Sequence, residues 1–156
     1  MKTAKIGFVL EKLRILMRES YDVSSDQEQC HDLTSSQCYT LLEIGTCGEV
    51  SLVELASSLN LDTSTLSRTV QSLVVLGMVN RTTNAKDRRF VKISLSERGK
   101  EIYEAIGRLY YDFITRVFAQ IPARKHETVL ESIGVFADAM KQANEAGRSG
   151  RNTRKR

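Results

Sequence analysis

Two clusters of side chains in the middle of the chain are suited to hydrogen bonding with something outside the fold. The segment DTSTLSRTVQSLVVLG, from Asp62 on, carries Thr63, Ser64, Thr65, Ser67, Arg68, Gln71 and Ser72 between apolar residues at helical spacing. Short hydroxyls let a helix lie deep in a groove and bond phosphates or base edges. Arg68 and Gln71 are long enough to reach bases, with guanine and adenine as natural partners. The amides at that helix's start would point at a phosphate. Downstream, from Met78 to Leu95, Arg81, Lys86, Arg88, Arg89 and Lys92 stand against Asp87 alone. Lys86, Arg88 and Arg89 fall where two strands would reverse, and arginine on a narrow projection suits the electronegative minor groove. Asp87 is the wrong charge for a phosphate contact; its expected role is to brace a neighbouring arginine through a charge-assisted hydrogen bond. Each cluster alone reads equally as a solvated surface; their combination favours duplex DNA.

The elements that must position these groups are mostly helices. Ile6, Val9, Leu10, Leu13 and Met17 predict a first amphipathic helix, followed by a polar loop, YDVSSDQEQCHD. Thr34 with Gln37 forms a capping box for a second helix bearing Cys38, Leu41 and Leu42, which Gly45 is expected to end. Ser51 with Glu54 caps a third, whose buried stripe is Leu52, Leu55, Ala56 and Leu59. After a tight turn at Asn60-Leu61, Asp62 or Thr63 caps the hydroxyl-rich helix, buried through Leu66, Val70, Leu73 and Val74 and stopped by Gly77. Two helices joined this way make a helix-turn-helix. Val91, Ile93 and Leu95 alternate with polar residues as in a half-buried strand, so the basic segment predicts a hairpin. Ser96 caps a long helix running to Gln120 with two adjacent apolar stripes, one from Ile102 to Val117 and one from Tyr103 to Ile121. Pro122 opens a last helix with Val129, Ile133, Phe136 and Met140 on one side. His126 reads as a solvated surface histidine. The fold class is mainly α with a small β-wing: a winged helix-turn-helix at 33–96, helical regions at 1–32 and 97–146, and a basic, disordered tail at 147–156. The surplus apolar surface predicts an oligomer.

The net charge of +4 is concentrated. The last ten residues, GRSGRNTRKR, hold five basic residues; without them 18 basic face 19 acidic residues. The remainder is nearly neutral with a local basic patch, enough to attract phosphate by counterion release. No apolar run approaches a membrane span, and charges at Glu11, Lys12 and Arg14 interrupt the N-terminal apolar stretch, so a cytoplasmic protein without membrane association is expected. Nucleophile–base pairs, phosphate loops and paired carboxylates are missing from the sequence, which argues against an enzyme. No cofactor and no metal site is expected.

The residues LTSSQCYTLLEI, SLVELASSLNLDTSTLSRTVQSLVVLGMVNR and KDRRFVKISLSERG together resemble the MarR family of bacterial transcription regulators. The likeness runs from about Ile6 to Met140. It implies a homodimer built from the first and last helices, with a winged helix-turn-helix in each subunit. It also implies repression from a pseudo-palindromic double-stranded operator and release by a small-molecule or thiol-reactive effector. The family's wing pattern places the second arginine after the aspartate, here Arg89, in the minor groove. The resemblance further implies an effector pocket beside the dimerisation helices, for which Met17, Cys38, Tyr39, Tyr103 and Tyr110 are candidates, although plain core is the commoner use of such residues. Cys38 departs from the larger residue common in the family, and the basic tail has no counterpart in the pattern.

Cys30, Cys38 and Cys47 are candidates for effector or redox sensing. An odd number of cysteines in a cytosolic chain argues against a disulfide framework. A sensor needs an accessible, low-pKa thiol, and a soft metal needs several ligands together. Cys38 and Cys47 would stand roughly 13 Å apart along a helix axis. Ordinary core or surface cysteine is therefore the leading reading. The alternative function is a winged-helix protein-interaction module without operator binding.

Overall fold

The computed structural model describes residues 3–25, 33–83 and 91–152. Its elements run α1 (Thr3–Ser25), α2 (Ser35–Cys47), β1 (Glu49–Ser51), α3 (Leu52–Ser58), α4 (Thr63–Val75), β2 (Val79–Thr83), β3 (Val91–Leu95), α5 (Glu97–Ala119), a 3-10 turn (Ala123–Lys125) and α6 (His126–Asn152). The fold is mainly helical with a small antiparallel sheet, a winged helix-turn-helix. The chain divides into two compact units, Met1–Tyr111 and Asp112–Arg156.

Capping chemistry sets the helix starts. Thr34 Oγ1 accepts from the Gln37 amide, and Gln37 Oε1 accepts from the Thr34 amide, a complete capping box. Ser51 and Glu54 repeat the arrangement at α3. Ser96 Oγ accepts from the Gly99 amide at 3.0 Å and starts α5. Gly77 takes φ +72°, the left-handed value that stops α4.

Several boundaries differ from the sequence expectation. Gly45 does not end α2; the helix continues to Cys47 and ends at Gly48, which has φ +78°. Gly45 is needed for a different reason: a Cβ there would run into the Tyr103 ring. α1 continues through Ser25 into the expected loop, because Tyr21–Ser25 holds no glycine or proline to stop it. Pro122 precedes the 3-10 turn, and α6 begins at His126. α6 then runs on to Asn152, past Ala146 and into the segment expected to be disordered. β1, too short to show an alternation, pairs through Val50 with Ile93 of β3, giving the order β1-β3-β2.

The core of the first unit is formed by Leu41 and Ile44 of α2, Leu55 of α3, Leu66 and Leu73 of α4, Ile93 of β3 and Ile106 of α5, all essentially inaccessible to solvent. Other apolar residues stand outside it. Phe8, Leu16 and Met17 of α1, and Leu130, Ile133 and Val135 of α6, are each more than half exposed. The stripe expected on α1 is thus largely uncovered within the chain, with Ile6 and Leu10 also exposed. No helix among the described residues is long and apolar enough to cross a membrane.

Candidate nucleic-acid interface

α4 is fixed at both ends and along one side. Asn60, at φ +62°, turns the chain out of α3, and the Leu61 amide donates to the Ala56 carbonyl at 3.0 Å. Asp62 is the N-cap: its Oδ1 accepts from the Thr65 amide at 2.8 Å and from the Ser64 hydroxyl at 2.5 Å. Hydrogen bonds from the Ser64 and Thr65 side chains and the Thr65 amide hold its carboxyl far below the ordinary range. Leu66, Val70 and Leu73 face the core.

Of the predicted contact residues, Thr63, Ser64, Thr65, Arg68 and Gln71 are exposed and Ser67 is half-buried. Ser64, Arg68 and Gln71 follow one another at helical spacing on one face. Ser72 does not join them. Its hydroxyl accepts from Gln37 Nε2 at 2.5 Å, a polar link from α2 to α4. Gln37 therefore serves the cap of α2 and the placement of α4 together. Val75 extends the exposed stripe and is 78% exposed, which the sequence reading did not single out.

The wing strands are β2 and β3, in register from Val79↔Leu95 to Thr83↔Val91. Lys86, Asp87, Arg88 and Arg89 lie outside the described residues. Lys92 pairs with Glu49 of β1, so its charge is engaged within the sheet. Arg81 is exposed on β2, opposite Ile93. The base of the wing is held by the start of α5. Three successive carbonyls are taken: Leu76 by Arg98 Nη1 at 3.0 Å, Gly77 by the Ser96 hydroxyl at 2.6 Å, and Met78 by the Ser96 amide at 3.0 Å. Gly99 completes the junction, since a Cβ there would collide with the Met78 carbonyl oxygen. Arg98 had a sequence signal: a cation in the first turn of a helix opposes the macrodipole, so its placement calls for another partner.

The two described cysteines stand in different environments. Cys38 is buried in the core, and Cys47 is exposed. The Cys47 thiol is pushed up by desolvation, by the charge and hydrogen bond of Glu43 and by Glu54, the reverse of an activated thiolate. Cys30 lies outside the described residues, which contain no cluster of three potential metal ligands. Tyr103 and Tyr110 pack against the core, whereas Tyr39 and Met17 are exposed. His126 is not solvated as expected. It is half-buried, with Nε2 at 3.1 Å from the Phe118 carbonyl and 2.9 Å from that of Ile121, and its ring stands edge-on to Phe118. Two acceptors at one nitrogen require a proton on Nε2.

A model of the MarR family matches residues 31–89. The chain is 23% identical over 104 residues to the HTH-type transcriptional regulator YdgJ of Bacillus subtilis, a match covering 67% of this chain and 63% of that protein. A MarR-like transcriptional regulator from Thermotoga maritima is 26% identical and superposes with a TM-score of 0.67 over 90% of this chain and 97% of its own. Streptococcus pneumoniae FabT, solved in complex with DNA, shares the fold with a TM-score of 0.78 over 91% of this chain and 99% of its own, at 15% identity. With its winged helix-turn-helix and capped α4, the chain is similar to transcription regulators of the MarR family, whose model it matches over residues 31–89.

Proposed function

We propose that this protein is a sequence-specific, double-stranded DNA-binding transcriptional regulator acting in the cytoplasm. In this reading it is a homodimeric repressor on a pseudo-palindromic operator. The observation that carries the reading is the exposed Thr63, Ser64, Thr65, Arg68 and Gln71 surface of α4, which rests on a buried apolar side and a capped start. A protein with the same fold, FabT, is solved in complex with DNA. Ser67 sits at the margin of the surface, and Arg89, braced by Asp87 and flanked by the basic Lys86 and Arg88, supplies the second contact in the minor groove. Homodimerisation accounts for the uncovered apolar residues of α1 and α6, which a lone chain would expose to water. A two-fold dimer would set two α4 helices on two half-sites.

Release by a small molecule fits better than release by a thiol switch at the described cysteines. Cys38 is buried, and the Cys47 pKa moves away from the thiolate. The decisive experiment selects duplexes from a random-sequence library and measures their affinity by fluorescence anisotropy across salt concentrations. Arg68→Ala should relax base preference at one position, whereas Arg89→Ala should weaken binding to all sequences. Unchanged affinity in both variants would refute the groove assignment.

A further inference from the structure

Ser64 is exposed on the same face of α4 as Arg68 and Gln71, yet its hydroxyl is already committed. A serine hydroxyl has one proton and two lone pairs. At Ser64 that proton is donated to Asp62 Oδ1 at 2.5 Å, a charge-assisted bond. What Ser64 presents outward is therefore acceptor capacity alone, beside a carboxylate. We propose that Ser64 is a specificity-determining residue that accepts a hydrogen bond from the exocyclic amino group of cytosine or adenine, and is not a phosphate contact. The proposal rests on the reading of α4 as the helix that faces duplex DNA.

Base-edge chemistry leads to this assignment. Phosphate oxygens only accept, so an acceptor-only hydroxyl gains nothing from them, and the Asp62 charge repels them. In the major groove, guanine offers O6 and N7 and thymine offers O4, all acceptors, whereas cytosine N4 and adenine N6 donate. Asp62 stays ionised at neutral pH, because its carboxyl is held well below the ordinary range, and it cannot return a proton to Ser64. Arg68, which only donates, and Gln71, which does both, follow on the same face. From Ser64 to Gln71 the helix rises roughly 10 Å, about three base-pair steps. The face therefore runs acceptor, donor, mixed, matching an amino-bearing base, a guanine and an adenine within one half-site.

The test selects random-sequence duplexes against the wild-type protein, Ser64→Ala and Asp62→Gly, with helix content and melting temperature checked first. Glycine is a tolerated N-cap and removes the carboxylate that orients the hydroxyl. The wild type should restrict one position of each half-site to adenine or cytosine. In Ser64→Ala the preference at that position should fall roughly two- to tenfold, the worth of one hydrogen bond, with the other positions unchanged. Asp62→Gly should admit guanine and thymine there. Uniform weakening in Ser64→Ala with every preference kept would mark a phosphate contact and overturn the proposal. So would an adenine-or-cytosine restriction that survives Asp62→Gly, or a wild-type site with no such position. A wild type that enriches no sequence would remove the DNA reading itself, and the proposal with it.

Discussion

Substitution of Gly99 by alanine tests the junction between α4 and α5. Gly99 is buried, and a Cβ there would overlap the Met78 carbonyl oxygen and lie 3.0 Å from the carbonyl carbon and 3.4 Å from Leu95 Cβ. The obstacle is backbone, which cannot rotate aside. It is also anchored, because the Met78 carbonyl accepts from the Ser96 amide at 3.0 Å. Relief requires the start of α5 to move away, loosening the bonds of Ser96 and Arg98 to the end of α4. Overpacking costs about 1–3 kcal/mol and each lost hydrogen bond about 0.5–1.5 kcal/mol, so a destabilisation of about 2–4 kcal/mol is expected. With a urea slope near 2 kcal/mol/M, the midpoint should fall by roughly 1–2 M. Protein concentration must be held fixed, because dimerisation would add its own stabilisation. Gly107→Ala on the same helix is the control. It meets nothing within 4 Å, and removing a glycine from an exposed helix interior should stabilise by about 0.5–1 kcal/mol. A Gly99→Ala protein within about 0.5 kcal/mol of wild type would refute the close approach.

Other consequences can be checked independently. Ser72→Ala should lower stability by about 1 kcal/mol while leaving duplex affinity nearly unchanged, and a double-mutant cycle with Gln37→Ala should show coupling between the two. Thr34→Ala should cost about 1 kcal/mol through loss of the α2 cap, read by chemical denaturation. Glu43→Gln should speed alkylation of Cys47 at neutral pH, since Glu43 charge and hydrogen bonding raise that thiol; an unchanged rate would show that desolvation and Glu54 set it without Glu43. Asp62 has a depressed folded-state pKa, so its contribution is present above the unfolded value near 4 and is lost as pH falls through the folded value. Asp62→Asn should therefore flatten the acid limb of the stability curve relative to wild type.

The helix starts were legible because capping follows local rules. Thr34 with Gln37, Ser51 with Glu54, and Asp62 are all read within four residues of sequence, and the structure places each as a cap. Buried stripes were legible where one face meets one core, as for Leu66, Val70 and Leu73. What escaped depends on partners distant in sequence. Gly45 reads as a helix stop but exists to admit Tyr103. Ser72 has the periodicity of an outward residue, yet Gln37 draws its hydroxyl inward. β1 has too few residues to carry a pattern and becomes a strand only because β3 offers it an edge. His126 gains its role from two carbonyls at and just beyond the end of α5, those of Phe118 and Ile121.

The bond between the Ser96 amide and the Met78 carbonyl closes the wing at its root. The strands β2 and β3 therefore leave and return at a root fastened independently of the chain that joins them. The entropic cost of lengthening such a connection grows only slowly, by about 0.6 kcal/mol for each doubling. Insertions or deletions between Thr83 and Val91 can therefore accumulate with little effect on the helices that carry the wing. The length and charge of the segment joining β2 to β3 can be exchanged by design while the bonds of the α4–α5 junction are kept.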